Sequence, residues 1–506
     1  MNSTSSRGPG VDPALAWSHG LSVEVGGAGT VASAGIVLPR LLADRIGLTT
    51  GLSGALARVG FTPLRDRGRA LTDAACALAA GASCLSDIEA MTAQVEIFGP
   101  GGGASDTTML RVLNELAARL GGDGLPGRKL AKAMAGARGT AWAQIVARHG
   151  QLPAVKVAGA GLTRPGVDQD QHAGAPRPVL FVRLDATLIE VDSTKTGAAG
   201  NYKGGFGFHP LTAWCTNVGD SLAVMLRPGN AGSFTASDHI LVLDAAIEQI
   251  PAAWRTDVLI TIDGAGASHD VINHLTRLNT AAAHGRRGRR IEYSIGWPVD
   301  ERTLAGIGEL REQDWTDALG ADGKPDPNAS VADLTGILRN GPGGDKLAGW
   351  PADQRIIARR VPRPAGEQAK LGEHPDWRYG AFATNTATGQ IQWLDARHRT
   401  QAHVEDKMKE LKTCGGENLP SIDWDRNSAW LQLAALACSL NAWLRHLALD
   451  GQLAKAEPKA LRYRLLGAPA RLVTHARRKI LKIPPGWQWA GDLATAYERL
   501  QALHPA

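Results

Sequence analysis

The stretch that most constrains the fold is Val179 to Ser193, VLFVRLDATLIEVDS, where an apolar, β-branched run ends in an acid, Asp185. Such a run is typical of a strand buried on both faces. An ionised carboxylate among these side chains is costly unless it has a partner, a metal ion or open solvent. The ordinary alternative is an aspartate in the turn that follows a strand. Asp185 is therefore either a turn residue or a functional acid.

A second acid follows another apolar run. Val258 to Ile262, VLITI, predicts a buried strand that ends at Asp263, before a glycine-rich turn and a helix. Acids at strand ends lie where α/β sheets place their ligands. Nucleotide binding is the weaker alternative, because His269 replaces the third glycine of a dinucleotide loop and no ribose-binding acid follows.

A third acid lies on a predicted helix, Asp395 to about Lys412, where Glu405 stands beside an apolar stripe. Carboxylates from separate elements are the ligands that hold two magnesium ions about 3.5–4 Å apart in phosphoryl-transfer sites. Other acids lie close by in sequence, so the residues alone leave a site made of Asp185, Asp263 and Glu405 as one of several arrangements. These neighbours are Glu190, Asp192, Asp270 and Asp406.

The charge of the chain is basic and unevenly distributed. Its 506 residues carry a net charge of +6, and that length predicts about two to four domains. Basic clusters attract phosphates, although a charge run is also the ordinary make-up of a solvated surface. The clusters are Arg286, Arg287, Arg289 and Arg290, and then Arg462, Arg464, Arg471, Arg477, Arg478, Lys479 and Lys482.

The remaining composition favours a cytoplasmic protein. The N-terminus is polar and rich in glycine and proline, without the basic start and apolar middle of a secretory signal. The five cysteines form no CxxC pair and have no histidine spacing suited to zinc, so we expect free thiols in a reducing compartment. No apolar segment is long enough to predict insertion into a membrane.

The organisation of the chain changes from helical to strand-rich. Helical periodicity covers residues 31–150, with a break at Gly81 and a helix capped by Ser105 or Asp106 that places Arg111 on its surface. Such short helices fit a helix-turn-helix DNA reader and a plain bundle equally well. The predicted segments are a disordered tail 1–30, the helical domain 31–150, a connector 151–177, a first core part 178–296, a β-rich insertion 297–390, a second core part 391–450 and a basic C-terminal region 451–506.

Several strings, in this order, resemble the insertion-sequence DDE transposases of the thirteen-eighty family. They are RGRALTDAACALAAGASCLSDIEAM, LDATLIEV, YKGGFGFHPL, LRPGNAGS, the strand ending at Asp263, RHRTQAHVEDKMKELK with NLP and NSAWL, and LRYRLLGAPARLV. The resemblance covers most of the chain. It implies an α/β fold, an RNase H-like mixed-sheet catalytic core with a β-rich insertion, preceded by a helical N-terminal domain.

The resemblance also implies cut-and-paste transposition. Asp185, Asp263 and Glu405 take the places of the metal-binding catalytic triad, which implies two Mg²⁺ ions with Mn²⁺ as a substitute. Lys412 stands where the family signature has a lysine. The signature's tyrosine and arginine are replaced by His398 and Gln401, and the candidates to substitute for the arginine are Arg397, Arg399 and His403.

The expected partner is double-stranded DNA, both the terminal inverted repeats of the element and its target, bound by a dimer. Tyr202 and Phe206 are equally suited to packing, and Trp297 is a candidate for base stacking whose alternative is a core position. Two other functions stay open, a non-catalytic DNA-binding protein derived from a transposase and a cellular nuclease. The predicted DNA contacts are Lys412, Lys203, Tyr202, His209, Arg399, Arg111, Arg477 and Arg478.

Overall fold

The computed structural model describes residues 22, 24–167, 173–192, 194–232, 235–281, 288–341, 347–369 and 374–506. Most of the predicted tail, together with Ser193, Arg286 and Arg287, lies outside these residues.

The helices concentrate in residues 37–149 and 391–502. They are α1 Val37–Arg45, α2 Leu48–Leu56, α3 Arg67–Ala80, α4 Leu85–Thr92, α5 Val95–Phe98, α6 Asp106–Ala117, α7 Arg128–His149, α8 Ala236–Gln249, α9 His269–Leu278, α10 Glu301–Gly308, α11 Thr335–Asn340, α12 Ile391–Arg399, α13 Val404–Leu411, α14 Trp424–Ala448, α15 Gly451–Ala454, α16 Pro458–Leu461 and α17 Ala490–Ala502.

The strands form one large mixed sheet and several small ones. They are β1 Thr30–Val31, β2 Lys156–Val157, β3 Ala160–Gly161, β4 Thr163–Val167, β5 Ala173–Pro178, β6 Leu180–Ala186, β7 Ile189–Glu190, β8 Ala199–Gly200, β9 Phe206–Phe208, β10 Leu211–Cys215, β11 Ser221–Met225, β12 Asp257–Ile262, β13 Arg290–Trp297, β14 Thr316–Leu319, β15 Pro325–Asp333, β16 Arg355–Pro362, β17 Trp377–Thr384, β18 Ala470–His475 and β19 Arg478–Lys482.

The large sheet has the order β11-β10-β6-β12-β13-β17-β16-β15-β14. Its centre, β6-β12-β13, is parallel, and the strands on either side are antiparallel. The central strands are almost entirely apolar and buried, as expected for strands covered on both faces. The predicted mixed α/β architecture is confirmed.

The strands of the predicted β-rich insertion extend the large sheet. β17 pairs with β13, with Ser294 opposite Thr384, and β16, β15 and β14 follow outward. This pairing satisfies the backbone groups of β13, which would otherwise be an open edge. The predicted connector also contains structure, the short hairpins β2–β3 and β4–β5.

The helical region and the sheet share one core. Arg138 of α7 donates from Nε to Asp220 at 2.9 Å, and both side chains are fully buried. The indoles of Trp142 and Trp443 donate to the same carboxylate oxygen at 3.3 and 3.0 Å. Asp220 thus joins α7, the β10–β11 turn and α14, and each partner offsets the cost of burying the others.

The predicted N-terminal helix pair is present, with Gly81 ending α3 at a φ of 116° and Ser105 capping α6. α3 is buried along almost its whole length, and α4 contains no lysine or arginine. The two arginines of α3, Arg67 and Arg69, are partly buried and pair with Glu115 and Asp44, and the helix-turn-helix reader and the plain bundle both stay predictions. Among the described residues no single helix is long and apolar enough to cross a bilayer, although α3 and α4, bent by 99°, reach that standard as a pair.

Candidate active site

Asp185 and Asp263 lie at the same edge of the sheet. β6 and β12 are neighbouring parallel strands, and Leu184 is in register with Ile262. Asp185 follows Leu184 and Asp263 follows Ile262, so the two acids stand side by side at the carboxyl ends of their strands. Neighbouring strands are about 4.8 Å apart. The sequence predicted acids at strand ends, and this register places the two ends side by side.

The electrostatics of Asp185 show that all three predicted acids share one region. Burial, together with the negative charges of Asp263 and Glu405, raises the pKa of Asp185 to about 7, against the lowering effect of a hydrogen bond from the Ala186 N–H. That hydrogen bond joins Ala186 N to Asp185 Oδ1 at 2.9 Å. Asp185 is half-buried, whereas Asp263 and Glu405 are exposed.

A 3₁₀ turn within the helix predicted from Asp395 to Lys412 sets the position of Glu405. The predicted continuous helix from Asp395 to Lys412 is instead α12, a 3₁₀ turn at Thr400–His403, and α13. Glu405 therefore lies in the first turn of α13, with Val404 and Met408 of the same helix buried. The Thr212 hydroxyl, opposite Asp185 in the sheet, donates to the Asp185 carbonyl at 2.9 Å and also contacts Met408 Sδ at 3.7 Å. This contact packs α13 against the strand that carries Asp185.

The donor chemistry of the three acids fits divalent cations. Carboxylate oxygens are the ligands that Mg²⁺ and Mn²⁺ prefer, and the mutual repulsion that raises the pKa of Asp185 would be relieved by a bound cation. Among the described residues no three His, Cys, Asp or Glu side chains are close enough to enclose a metal ion. Asp185 and Asp263 would hold it from the sheet and Glu405 from α13.

Gln401 braces the strands that carry the two aspartates. Its Oε1 accepts a hydrogen bond from the Thr261 hydroxyl, and its Nε2 donates to the Leu184 carbonyl at 3.1 Å. Leu184 immediately precedes Asp185, and Thr261 lies two residues before Asp263. Both ends of the amide are thus used within the protein, one turn before Glu405.

Gly296 makes room for the turn that carries Asp263. A Cβ on this β13 residue would lie 2.6 Å from the Gly264 nitrogen and 3.0 Å from the Asp263 carbonyl carbon. Real Cβ atoms do not approach backbone so closely. Only glycine at this position lets the turn after β12 pack against β13.

Residues at or beside the family's signature positions, His398, Arg397 and Arg399, make hydrogen bonds within the protein. His398 is half-buried, stacks on Phe382 with centroids 4.4 Å apart, and pairs with the Ser294 hydroxyl at 3.0 Å. Burial, with the charges of Arg397 and Arg399, lowers its pKa to about 3.

The two arginines of this segment have internal partners as well. Arg397 is buried and donates to Glu292 at 3.1 Å. Arg399 donates to Asp395 at 3.0 Å and to the Leu319 carbonyl. His403, by contrast, is exposed, so it is the one of the three candidates that keeps a surface position.

Three of the predicted DNA contacts, Tyr202, Lys203 and His209, lie close to one another, and they differ in exposure. Tyr202 is 71% exposed, with Lys203 over its ring at 5.7 Å and the His209 ring 6.0 Å away. His209 is buried, and its carbonyl accepts from Arg227 Nε at 3.0 Å. Burial lowers the pKa of His209, and the charge of Asp263 partly opposes that effect. Tyr202 and Lys203 are therefore accessible, and His209 is a packing residue close to the acids.

Lys412 lines a groove of about 770 Å³ that also contains Arg183 and His403. Arg183 lies two residues before Asp185 and is 1% exposed. Its Nε donates to the Thr216 hydroxyl at 2.8 Å, whereas Nη1 and Nη2 have no hydrogen-bond partner among the described residues. Burial lowers the pKa of Arg183 to about 10.

The remaining predicted contacts are spread over the surface. Arg111 is exposed on α6, and Arg477 and Arg478 are exposed at the tip of the β18–β19 hairpin. Trp297 is 4% exposed and packs edge-on against Trp350 at 4.8 Å, which is a core position. Sequence reasoning noted Gln401 only as the replacement of a signature residue, and it missed Gly296 and Arg227, because no spacing or motif marks a bracing amide, a backbone approach or a buried arginine.

Comparisons with known proteins give a family and a distant structural likeness. The family model described as transposase DDE domain group 1 matches residues 16–505. A solved structure, the cryo-EM structure of a piggyBac transposase synaptic complex with hairpin DNA, is similar with a TM-score of 0.38 and 9% identity, covering 86% of this chain and 79% of that chain. No curated protein matches the sequence.

Proposed function

The chain belongs to the transposase DDE domain group 1 family, and from that premise we propose that it is a metal-dependent DNA transposase of the insertion-sequence thirteen-eighty type. The proposed reaction is strand cleavage at the ends of the element and transfer of the freed strands into target DNA, which is cut-and-paste transposition. The proposed catalytic core is RNase H-like, formed by β6, β12 and their neighbours with α13.

One observation carries the assignment of the site. Asp185 and Asp263 follow residues that are in register on adjacent parallel strands, and the charges of Asp263 and Glu405 both raise the pKa of Asp185. Acids assemble in this way, against their own repulsion, where a bound cation offsets the cost.

The proposed roles of the residues follow from their positions. Asp185, Asp263 and Glu405 hold two Mg²⁺ ions, for which Mn²⁺ can substitute. When bound, these ions supply Lewis-acid stabilisation of the phosphodiester oxygens and activation of the attacking oxygen. Gln401 fixes the spacing of the two strands, and Gly296 fixes the turn that presents Asp263.

Duplex DNA is the proposed partner, both the terminal inverted repeats and the target. Lys412, Lys203 and Tyr202 are accessible contacts for the strand near the acids, and Arg111, Arg477 and Arg478 are accessible contacts farther along the surface. Two DNA ends have to be held together during transposition, so we propose a dimer in the DNA complex. The proposed location is the cytoplasm, at the nucleoid when bound to DNA.

The test is an end-cleavage and joining assay. The substrate is a duplex carrying the DNA that flanks the gene, incubated with the protein in Mg²⁺ or Mn²⁺ and a plasmid target. The expected products are a cut end and a strand covalently joined to the plasmid, both lost in Asp185→Ala. Cut strands without joined product would indicate a nuclease. Binding without cleavage would indicate the alternative, a non-catalytic DNA-binding protein, and cleavage surviving in Asp185→Ala would refute the triad.

A further inference from the structure

The C-terminal hairpin β18–β19 is a ribbon whose base joins β1 in a three-stranded sheet, where β1 pairs with Ala470 and Arg471; the ribbon has one anchored face and one free face. Leu472 pairs with Leu481, and both are partly buried against the core. The Trp487 indole, just after β19, donates to the Arg464 carbonyl at 3.0 Å and fixes the return of the chain. The ribbon is therefore held at its base by apolar contacts on one side.

The opposite face carries cations at both ends, with the apolar pair Val473 and Ile480 between them. Directly opposite residues of antiparallel strands share a face, and Arg471 pairs with Lys482 while His475 pairs with Arg478. All four side chains are exposed. Arg471 and Lys482 are like charges directly across the ladder, which destabilise a sheet, so the fold alone gives no reason for this pair. A polyanion lying along the face would remove the repulsion.

The tip of the ribbon adds another cation at a conformational cost. The turn has two residues, Ala476 and Arg477, with φ values of 47° and 64°. A hairpin turn of this kind is usually made by Asn-Gly or Gly-Gly, because both residues need positive φ. Strained positions that persist are often functional. Here the strain keeps an arginine at the point that projects farthest.

The sequence around the ribbon contains no acidic residue that would offset its positive charge. Residues 458–491 contain eight lysines and arginines and no aspartate or glutamate, which exceeds the net charge of the whole chain. Among the described residues none of the ribbon cations, Arg471, Arg477, Arg478, Lys479 and Lys482, forms an ion pair. Lysines on an edge strand discourage pairing with another chain, and that structural role would account for Lys479 and Lys482 of β19. It does not account for Arg471 on the inner strand or for Arg477 in the turn.

We propose that the β18–β19 ribbon binds the phosphate backbone of duplex DNA through the face formed by Arg471, Arg478 and Lys482 and the tip residue Arg477. The major groove is about 12 Å wide and admits a two-stranded ribbon. The outer face spans Arg471 to His475, about 14 Å at 3.4 Å per residue. The identity of this DNA as transposase substrate rests on the proposed function, whereas the binding itself does not.

The experiment compares the salt dependence of DNA binding in two matched double variants. Arg477→Gln with Arg478→Gln removes two ribbon cations. Lys324→Gln with Arg378→Gln removes two exposed cations of the large sheet, whose side chains are 82% and 62% exposed. Binding of a fluorescent duplex of arbitrary sequence is measured by anisotropy at several salt concentrations. Each lost phosphate contact lowers the slope of log K against log salt by about 0.9.

The expected result is a slope reduced by about 1.8 in the ribbon variant and an unchanged slope in the control. Thermal unfolding should show that the ribbon variant is folded, with a Tm equal to that of the parent because both altered side chains are exposed. Equal slopes for parent and ribbon variant would overturn the proposal. A slope that changes only with an RNA duplex, or with an acidic polypeptide, would assign the ribbon to that partner and also overturn it.

Failure of the ribbon proposal is distinguishable from failure of the transposase proposal. Asp185→Asn should lose strand cleavage and keep the parental salt slope. A protein that cuts no DNA but shows the ribbon effect would refute the proposed function and leave the ribbon in place.

Discussion

Replacing Gln401 by alanine tests whether its side chain holds together β6 and β12, the strands that end at Asp185 and Asp263. Thr261 and Leu184, its two partners, are fully buried. Removing the amide deprives a buried hydroxyl and a buried carbonyl of a partner, at about 1–3 kcal/mol for each group. Because part of this loss is recovered by relaxation, we expect the free energy of unfolding to fall by about 2–4 kcal/mol.

The effect on the cleavage rate should be separable from the effect on stability. Displacements of about 1 Å in a positioned site can lower a rate by about 100-fold. We therefore expect Gln401→Ala to lower the single-turnover rate of DNA-end cleavage by about 10- to 100-fold at a temperature where the variant is fully folded. DNA affinity should stay unchanged, because both ends of the amide bind the protein itself.

The assay pairs urea unfolding with single-turnover cleavage at saturating DNA. Gln390→Ala, an exposed glutamine just before α12, is the control. A double-mutant cycle with Thr261→Val should give a coupling energy of about 0.5–3 kcal/mol. A parental cleavage rate would refute the bracing role. A loss confined to DNA affinity would instead make Gln401 a DNA contact.

Three further perturbations test the surroundings of the site. Gly296→Ala should slow single-turnover cleavage at least tenfold, about 1.4 kcal/mol, because its Cβ displaces the turn of Asp263, whereas Gly380→Ala, with open space at its Cβ, should leave the rate unchanged. Arg183→Met should raise the free energy of unfolding by about 1–3 kcal/mol in urea, because it removes a buried, partly unsatisfied cation. For His398, whose folded pKa of about 3 lies below the unfolded value of about 6.5, stability should be complete above pH 6.5 and fall by up to about 1.4 kcal/mol per pH unit below it; His398→Asn should flatten that slope.

The positions of the two aspartates could be predicted because they depend on local pattern. A short β-branched apolar run specifies a buried strand, and the acid that follows the run marks its end, although Arg183 within the first run is itself buried. Asp185 and Asp263 both satisfy that rule. Their adjacency followed only once β6 and β12 were known to be parallel neighbours in register, which is a non-local property.

The sheet order and the helix break could not be read from the chain. β17 lies about 80 residues after its partner β13 in sequence, and no periodicity reports which strands pair across such a distance. The 3₁₀ turn at Thr400–His403 contains neither glycine nor proline, so the usual signals of a helix end are missing. Its position follows from tertiary contacts, among them the hydrogen bonds of Gln401.

The sequence shows which residues are basic, but it does not show which of them have partners within the protein. The basic residues Arg399 and Arg477 looked alike in the sequence. The structure ties Arg399 to Asp395 and to a backbone carbonyl, and leaves Arg477 exposed at the tip of a ribbon. Whether a cation has an internal partner depends on residues distant in sequence, so the predicted DNA contacts of both remain to be tested.

The central claim is that Asp185, Asp263 and Glu405 act together in DNA strand cleavage. The most direct measurement is the single-turnover rate of end cleavage in Mg²⁺ for the isosteric variants Asp185→Asn, Asp263→Asn and Glu405→Gln. Asp406→Asn, which alters an exposed acid next to Glu405, is the matched control. Each of the three variants should lose at least about 100-fold in rate, and the control should cut like the parent. A parental rate in any of the three, or an equal loss in the control, would contradict the assignment.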